Sequence, residues 1–547
     1  MLDYIHEIQQ HGASDLAVSA WIGEIADRLP ALIKQAKIMS GKYDVCATNP
    51  PYMGSSNMSD SLSKYLKKNY VIEKSDLFAA LLAHWINCIN SMGYSCMVTM
   101  QSWMFISSFK EFREYILGKH TIHSLIHLDN MVMGIAFGTC VTLIQKKHIS
   151  YFKASYNHIK LCDINTDNIP FEFPILRNKV YIKNSEIYKV ISGNPIAYWA
   201  SQRTFELFDK FPKLGDNFQT REGLTTGDND SFLRLWYEVS FKKITINNIE
   251  KKWYFYSKGG AFRKWYGNNE YILNWENDGY EVRHNIDKKT SRIRSHNYNG
   301  KYALKKALTW SSISNGKFSI RYRPEGFFFD AKAPSGFCNN MEDMWNILAF
   351  LNTNIVASLL KILSPTIDFK IGKICTLPFP KIEQKSKIAD LAKQNVSLEK
   401  FDWDSFETSW DFARHPLLPI NIPSSLSTCY TVYKTICERR ILKLKANEEK
   451  LNRIFIDTYD LADELTPDVA DKDVTVARIY DTKDDIPDSM KGNSYVLTKA
   501  DVVKSLLSYA VGCMFGRYSL DVPGLAYAGG EFDWSKYPSF RPDEDDI

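Results

Sequence analysis

The chain has 547 residues, more than one ordinary domain requires, with 45% apolar and 24% charged residues. Those shares exclude a disordered, collagen-like or fibrous chain, and no run approaches the roughly 18–20 apolar residues of a membrane span. The net charge of +5 is modest but unevenly spread. Residues 241–330 carry 18 Lys/Arg against 8 Asp/Glu and 19 aromatics, whereas residues 441–547 carry 13 against 21 and end in the acidic run Asp543 to Asp546. The first residues, MLDYIHEIQQHGASD, lack the basic-then-apolar pattern of a signal peptide. Ten scattered cysteines form no C-x-x-C pair, which speaks against a zinc knuckle or a disulfide framework. The expectation is a cytoplasmic chain with reduced thiols and no membrane partner.

In chain order, residues 1–38 read as helical with a break at Pro30, and Tyr43 to Thr48 as a short buried strand running into a Pro-Pro turn. Ser75-Asp76 offers an N-cap to the apolar helix LFAALLAHWINCI. Tyr94 to Met100 reads as a second buried strand, Lys110 to Leu117 as a helix, and Ile122 to Leu128 and Thr139 to Gln145 as two further strands. Strands alternating with helices indicate an α/β sheet over residues 1–150. Beyond it, short strand-like pieces rich in Asn, Gly and aromatics fill 150–340. Helical patterns return over 342–363 and about 431–465, and LPFPK (377–381) and HPLLPINIP (415–423) read as linkers.

The sharpest feature is Asn49-Pro50-Pro51-Tyr52, placed directly after the strand YDVCAT. Two prolines stiffen the backbone and offer carbonyls without competing N–H donors. An Asn side-chain oxygen beside a Pro carbonyl makes a pair of acceptors that fits one NH2 group. Held there, an exocyclic amine has its lone pair freed from ring conjugation and can attack an electrophilic methyl. A neighbouring tyrosine ring can stack on the base, worth about 1–3 kcal/mol. This is the geometry required to methylate an adenine extruded from a duplex, and the carboxyl end of a strand is where α/β sheets place ligands.

These residues also carry a family resemblance. YDVCATNPPYMGSS, KSDLFAALL, GYSCMVTMQSWMFISSFKEFREYIL and FGTCVTLIQKK resemble the gamma-type adenine-N6 DNA methyltransferases. Further along, GLTTGDNDSFLRLW (223–236), KGGAFRKWYGNNEYILNWENDG (258–279), SPTIDFKIGKICTLPFP (364–380) and EEKLNRIFIDTYDLADELTP (448–467) are similar to the large methyltransferases of BREX type 1 phage-defence systems. The resemblance implies that Asn49, Pro50 and Pro51 form the catalytic corner and that Tyr52 stacks on the flipped base. It implies a base-pocket wall at Phe137, a border of the S-adenosyl-L-methionine pocket at Asp76 and Phe78, and a DNA-recognition region opening at Thr226, Gly227, Asp228 and Asn229. It implies double-stranded DNA as partner, with other phage-defence proteins possible alongside.

One departure from the family is large. Its donor-binding glycine loop normally precedes the NPPY strand, and no Gly-x-Gly lies upstream of Asn49. The expected fold class is therefore α/β: a partial Rossmann-like class I methyltransferase sheet without its N-terminal cofactor-binding half over 1–150. A connector follows over 151–200, then a mixed α+β target-recognition domain over 201–385 and a mostly helical, acidic region over 390–547. An N-terminal methyltransferase half would act in trans. Phosphate contacts are expected from Lys251, Lys252, Arg263, Lys264, Arg321 and Arg323, where cations interleave with aromatics. A non-catalytic DNA-recognition module is the alternative reading. No metal is expected, since no H-E-x-x-H or H-x-E…C-x-x-C spacing occurs, and no carboxylate pair followed by a short-spaced Lys suggests a nuclease.

Overall fold

The strand and helix signals near the N-terminus converge on one open sheet. The computed structural model describes residues 7, 16–245, 250–314, 317–364, 368–419, 425–529 and 531–542. The start of the helix expected over 1–38, the end of the linker 415–423 and the acidic run Asp543 to Asp546 lie outside the described residues. The chain divides into two units, Met1–Phe205 and Glu206–Ile547.

In the first unit, β1 (Tyr43–Thr48), β2 (Ile89–Met100), β3 (Thr121–Leu128), β4 (Thr139–Gln145), β5 (Lys153–Ile159) and β6 (Tyr181–Asn184) form a sheet of order β1-β2-β4-β3-β5-β6. The pairs β1/β2 and β3/β5 are parallel, and β4 runs antiparallel between β2 and β3. Consequently β1, β2, β3 and β5 all end at one edge, where β4 begins. Helix α1 (Leu16–Ser40) runs through Pro30 instead of breaking there. The Ala, Arg, Leu, Lys and Gln residues around it are strong helix formers that carry the helix past one lost hydrogen bond. Helices α2 (Asp60–Asn69), α3 (Leu77–Cys88) and α4 (Lys110–Lys119) follow; α3 packs on β2 and α4 on β3. Phe78, Leu82, Ile86, Phe112 and Ile116 bury their apolar faces with Met97, Leu125 and Ile144, each contributing about 1.5–3 kcal/mol.

Two expectations change here. The strand Tyr43–Thr48, expected to be buried, pairs only with β2 among the described residues and keeps an exposed face, with Val45 61% accessible. Residues 151–200, expected as a connector, supply β5 and β6 to the sheet. Alternation in KASYNHI buries Ala154 and Tyr156 on one face, and Ile159 is buried on the other with Leu128 and Val132, a period-2 signal that the abundance of polar residues masks.

The second unit contains two four-stranded sheets. One has the order β13-β9-β10-β8 and the other β12-β11-β14-β7. The first comprises β8 (Leu233–Leu235), β9 (Trp253–Ser257), β10 (Tyr271–Asn274) and β13 (Phe327–Phe329). The second comprises β7 (Gln219–Arg221), β11 (Ala307–Trp310), β12 (Ile320–Arg323) and β14 (Ser335–Phe337). Helices α5 (Met341–Leu351) and α6 (Asn354–Leu363) occupy the region read as one helix, broken where Thr353 caps α6 through its side chain. Helix α7 (Lys385–Trp403), the 34-residue α8 (Leu426–Tyr459) and α9 (Lys499–Met514) follow, with a parallel pair β15 (Arg478–Tyr480) and β16 (Val496–Thr498) between the last two. Among the described residues no single helix is long and apolar enough to cross a membrane; α5 and α6 pass only as a pair bent by 73°.

Part of the cation surplus over 241–330 is offset by carboxylates from later in this unit. Arg263 places Nη2 2.9 Å from Asp402 and 3.0 Å from Glu399, and Arg440 donates to the other oxygen of Asp402 at 2.8 Å. Lys264 and the Trp265 indole each donate to Glu448 at 2.7 Å, and Lys317 pairs with Asp473. Breaking such a buried pair leaves an uncompensated charge. Asp402→Ala is expected to lower the unfolding free energy by about 3–5 kcal/mol in denaturant titrations.

His415 gives a second stability prediction. Its Nδ1 accepts from Leu417 N at 3.2 Å and its Nε2 lies 3.0 Å from Ser505 Oγ. That tautomer is neutral, and burial pushes the imidazole down to about 4. The unfolded imidazole titrates near 6.5, so between about pH 6.5 and 4 the unfolded chain takes up a proton that the native chain refuses. This contribution, about 3 kcal/mol in full, is present above that window and lost as the pH falls through it. His415→Gln should flatten this portion of the stability-against-pH curve.

Candidate functional site

The Asn49-Pro50-Pro51-Tyr52 corner leaves β1 at the edge where the parallel strands end. Asn49 and Pro51 are exposed, Pro50 is buried and Tyr52 is half-buried. The Tyr52 hydroxyl donates to Asn49 Oδ1 at 2.8 Å, which orients the amide and leaves its oxygen a second lone pair. Among the described residues no hydrogen bond engages the Pro50 carbonyl. Two acceptors therefore lie one residue apart on a stiff backbone, with no proline N–H to compete. Burial, then Cys140, raises the Tyr52 hydroxyl above its usual range, so it remains a donor.

Asp76 fixes this corner to α3. Its Oδ1 accepts from Met53 N at 3.0 Å and from Phe78 N at 3.3 Å, so one carboxylate closes the loop and caps the helix. Backbone bonds Leu77 N to Met53 O at 3.0 Å and Ser55 N to Ser75 O at 3.1 Å complete the join. Burial holds the Asp76 carboxyl above its usual range, opposed by the backbone N–H groups of Met53, Phe78 and Leu77. Behind the corner, Phe78 is fully buried and meets the Tyr52 ring edge-on at 6.2 Å. The Phe78 expected at the donor pocket is thus a core residue supporting Tyr52.

Phe137, read as a base-pocket wall, lies beside Tyr52 at the corner. It lies just before β4, 39% exposed, with its ring 5.7 Å from Tyr52 at 72°. The two rings touch edge to face, so a base entering between them must separate them.

Sequence reasoning missed the support beneath Phe137. Gln101, the first residue after β2, donates its backbone N–H to Gly138 O at 3.1 Å, and its amide oxygen pairs with His127 Nε2. His127 Nδ1 lies 2.9 Å from the Tyr198 hydroxyl, and its ring stacks on His158 at 4.7 Å. His158 in turn pairs with Asp129 at 2.8 Å. The loop after β2 is pinned by the buried Arg113, which donates to Trp103 O at 2.7 Å and Ile106 O at 2.8 Å. The available signal was positional: Gln101 follows β2 as Asn49 follows β1, a polar residue at a strand's carboxyl end.

The expected DNA contacts of the second unit separate into two groups. Lys251 and Lys252 are half-buried and line a cavity of about 550 Å³ with Trp275, Asp278 and Arg283, and Lys252 pairs with Glu276 at 3.0 Å. Arg263, Lys264, Arg321 and Arg323 are buried. The first two belong to the ionic cluster described above. Arg321 donates to Arg263 O at 3.1 Å, and Arg323 to Ser335 Oγ at 2.8 Å and Lys305 O at 3.2 Å. Their expected place on a phosphate-binding surface is corrected: cations alternating with aromatics here are core residues, Arg263 and Lys264 paired with carboxylates and Arg321 and Arg323 bonded in part to carbonyls and a serine hydroxyl.

Thr226 is also buried, donating to Asn229 Oδ1 at 2.8 Å, while Asp228 accepts from Ser231 N at 3.1 Å and its hydroxyl at 3.0 Å. Gly227, at φ +75°, is required because a side chain would run into Arg294. The segment is a self-bonded turn that presents Asn229 at the surface. Among the described residues no cluster of three or more His, Cys, Asp or Glu side chains is placed to hold a metal.

The Eco57I restriction-modification methylase family model matches residues 6–132. The adenine-specific methyltransferase PglX of Lacticaseibacillus casei (strain Zhang) is 42% identical over 539 residues, 94% of this chain and 43% of that protein. The adenine-specific methyltransferase BrxX of Escherichia coli O9:H4 (strain HS) is 33% identical over 515 residues, 92% of this chain and 41% of that protein. The chain thus spans less than half the length of these curated relatives. The type IIL restriction-modification enzyme MmeI, solved in complex with DNA, shares the fold at a TM-score of 0.50 and 12% identity, over 77% of this chain and 55% of that one. Along almost its whole length, the chain is homologous to the adenine-specific methyltransferases PglX and BrxX, as its motifs implied.

Proposed function

We propose that this chain is the base-holding and DNA-recognising portion of a site-specific adenine-N6 DNA methyltransferase of a BREX-like phage-defence system. One observation carries the reading: an exposed corner at the carboxyl edge of a sheet, with Asn49 Oδ1 oriented by Tyr52 and the Pro50 carbonyl unengaged among the described residues. The names of the homologues and of the family model support it.

The chemistry of the chain's own residues follows from that geometry. An adenine flipped from the duplex meets the Tyr52 ring, and the stack returns about 1–3 kcal/mol of the unstacking cost. Its N6 amine donates one hydrogen to Asn49 Oδ1 and the other to the Pro50 carbonyl. Both hydrogens are then directed away from the ring plane's preferred geometry, so the nitrogen lone pair localises and becomes nucleophilic. Phe137 closes the other side of the base after the two rings separate.

S-adenosyl-L-methionine is the methyl donor the family implies. The described residues do not form its cradle. Among them the outer edge of β1 is unpaired, Oδ1 of Asp76 is taken by two backbone donors, and Phe78 is sealed in the core. The donor site is therefore completed by a further stretch of polypeptide laid against β1, in the same chain or in trans. In this reading the sheet β1 to β4 is the acceptor half of a class I methyltransferase sheet. The open β1 edge equally favours a second reading, in which the chain by itself recognises DNA without catalysis.

Labelled methyl transfer to DNA separates the two readings. The chain supplemented with the remaining portion of a PglX-type relative should methylate adenine, and the unsupplemented chain should not. Asn49→Ala should lower the supplemented rate by about 100-fold or more, the scale of losing one oriented polar group at the reacting atom, with DNA affinity within about twofold. For DNA binding, Lys251→Ala with Lys252→Ala should reduce the slope of log affinity against log salt by about one to two units. The slope would stay unchanged if neither lysine contacts phosphate.

A further inference from the structure

Resting on the base-holding reading of the corner, a second set of residues determines where the outer wall of that site stands. Phe137 has no direct polar anchor, because its side chain is a hydrocarbon ring. Its position is inherited from the backbone of Gly138, which is buried where β4 begins. The Gln101 side chain occupies the space that a Cβ on residue 138 would need, and the Gln101 N–H is bonded to Gly138 O. The glycine and the glutamine thus fit each other as a close backbone-to-amide contact.

The Gln101 amide is itself held from behind. His127 is buried and its imidazole is pushed down to about 4, chiefly by burial and then by His158, so one ring nitrogen carries a hydrogen and the other accepts. The Gln101 oxygen can only accept, which makes His127 Nε2 the donor and leaves Nδ1 to accept from the Tyr198 hydroxyl. Tyr198 is buried and stacks on Tyr156 at 5.2 Å with the rings 6° from parallel. Beneath His127 lie His158 and Asp129, whose carboxylate also accepts from Leu161 N at 3.3 Å. A rigid line therefore runs from the Tyr156–Tyr198 stack through His127 and Gln101 to Gly138, and so to Phe137.

We propose that Gln101, oriented by His127, is a positioning residue that sets the Phe137 wall relative to Tyr52 and so determines how well a purine is held at the corner. It makes no contact with the reacting amine in this role. Its partner is the backbone of residue 138, and its effect reaches the base through Phe137.

The test is a double-mutant cycle read with a fluorescent purine nucleoside, 2-aminopurine deoxyriboside, whose emission is quenched by ring stacking. The full chain should quench the probe, and Phe137→Ala should weaken binding. Gly138→Ala, whose methyl displaces the Gln101 amide, should weaken the probe about tenfold in the parent chain. In a Gln101→Ala background, where the methyl has room, the same substitution should change affinity by less than about twofold. A loss of packing alone would not vanish in that background. His127→Gln and Gln101→Ala should likewise be non-additive, a second cycle that decides the matter if Gly138→Ala lowers the thermal midpoint so far that the chain is unfolded. Parent-like quenching in every variant, or additive losses in both cycles, would overturn the positioning role alone. Absence of quenching by the parent chain would instead overturn the base-holding reading on which it rests.

Discussion

Asp76 lies where two chain segments would otherwise leave unpaired backbone donors: the end of the NPPY loop and the first turn of α3. By accepting from both Met53 and Phe78, its carboxylate makes the loop and the helix a single piece. The helix is anchored in turn by Phe78, Leu82 and Ile86, so the position of the exposed corner is set by the core of the sheet. Without that carboxylate the prolines would still stiffen their own dihedrals, but only the backbone bonds Leu77 N to Met53 O and Ser55 N to Ser75 O would hold the loop to the helix. The Tyr52 hydroxyl then orients the Asn49 amide by donating to its oxygen.

The two walls of the site have different origins. Tyr52 belongs to the corner and rests on Phe78, whereas Phe137 comes from the turn between β3 and β4 and rests on Gln101. The antiparallel insertion of β4 brings them together, because its first residue lies opposite the last residues of β2 and β3. A purely parallel sheet would have put the start of β4 at the far edge.

In the second unit the organising fact is charge complementarity at long sequence separation. Arg263 and Lys264 meet Glu399, Asp402 and Glu448, residues more than 130 positions away, in surroundings where an unpaired charge would be costly. Some of the cation surplus over 241–330 and some of the acid surplus in the C-terminal region thus belong to a single buried network. Local charge density read along a chain reports on solvent-facing chemistry only for residues that reach solvent, as Lys251 and Lys252 do.

Much of the first unit was legible in the residues because its signals are local. Strand and helix periodicity located β2, β3, β4, α3 and α4, and the capping Asp76 was visible ahead of an apolar helix. The chemistry of Asn49 to Tyr52 needs only covalent neighbours, so the sequence alone determined which atoms could grip an amine. Tertiary structure alone decided what no local pattern encodes: that Arg263, Lys264, Arg321 and Arg323 are inside, that 151–200 adds strands to the sheet, and that Gln101 and His127 stand behind Phe137. Those outcomes depend on which distant groups compensate a charge or share a sheet edge. Such pairings are fixed by the free energy of burying both partners together, a quantity that belongs to the folded whole and to no segment of it.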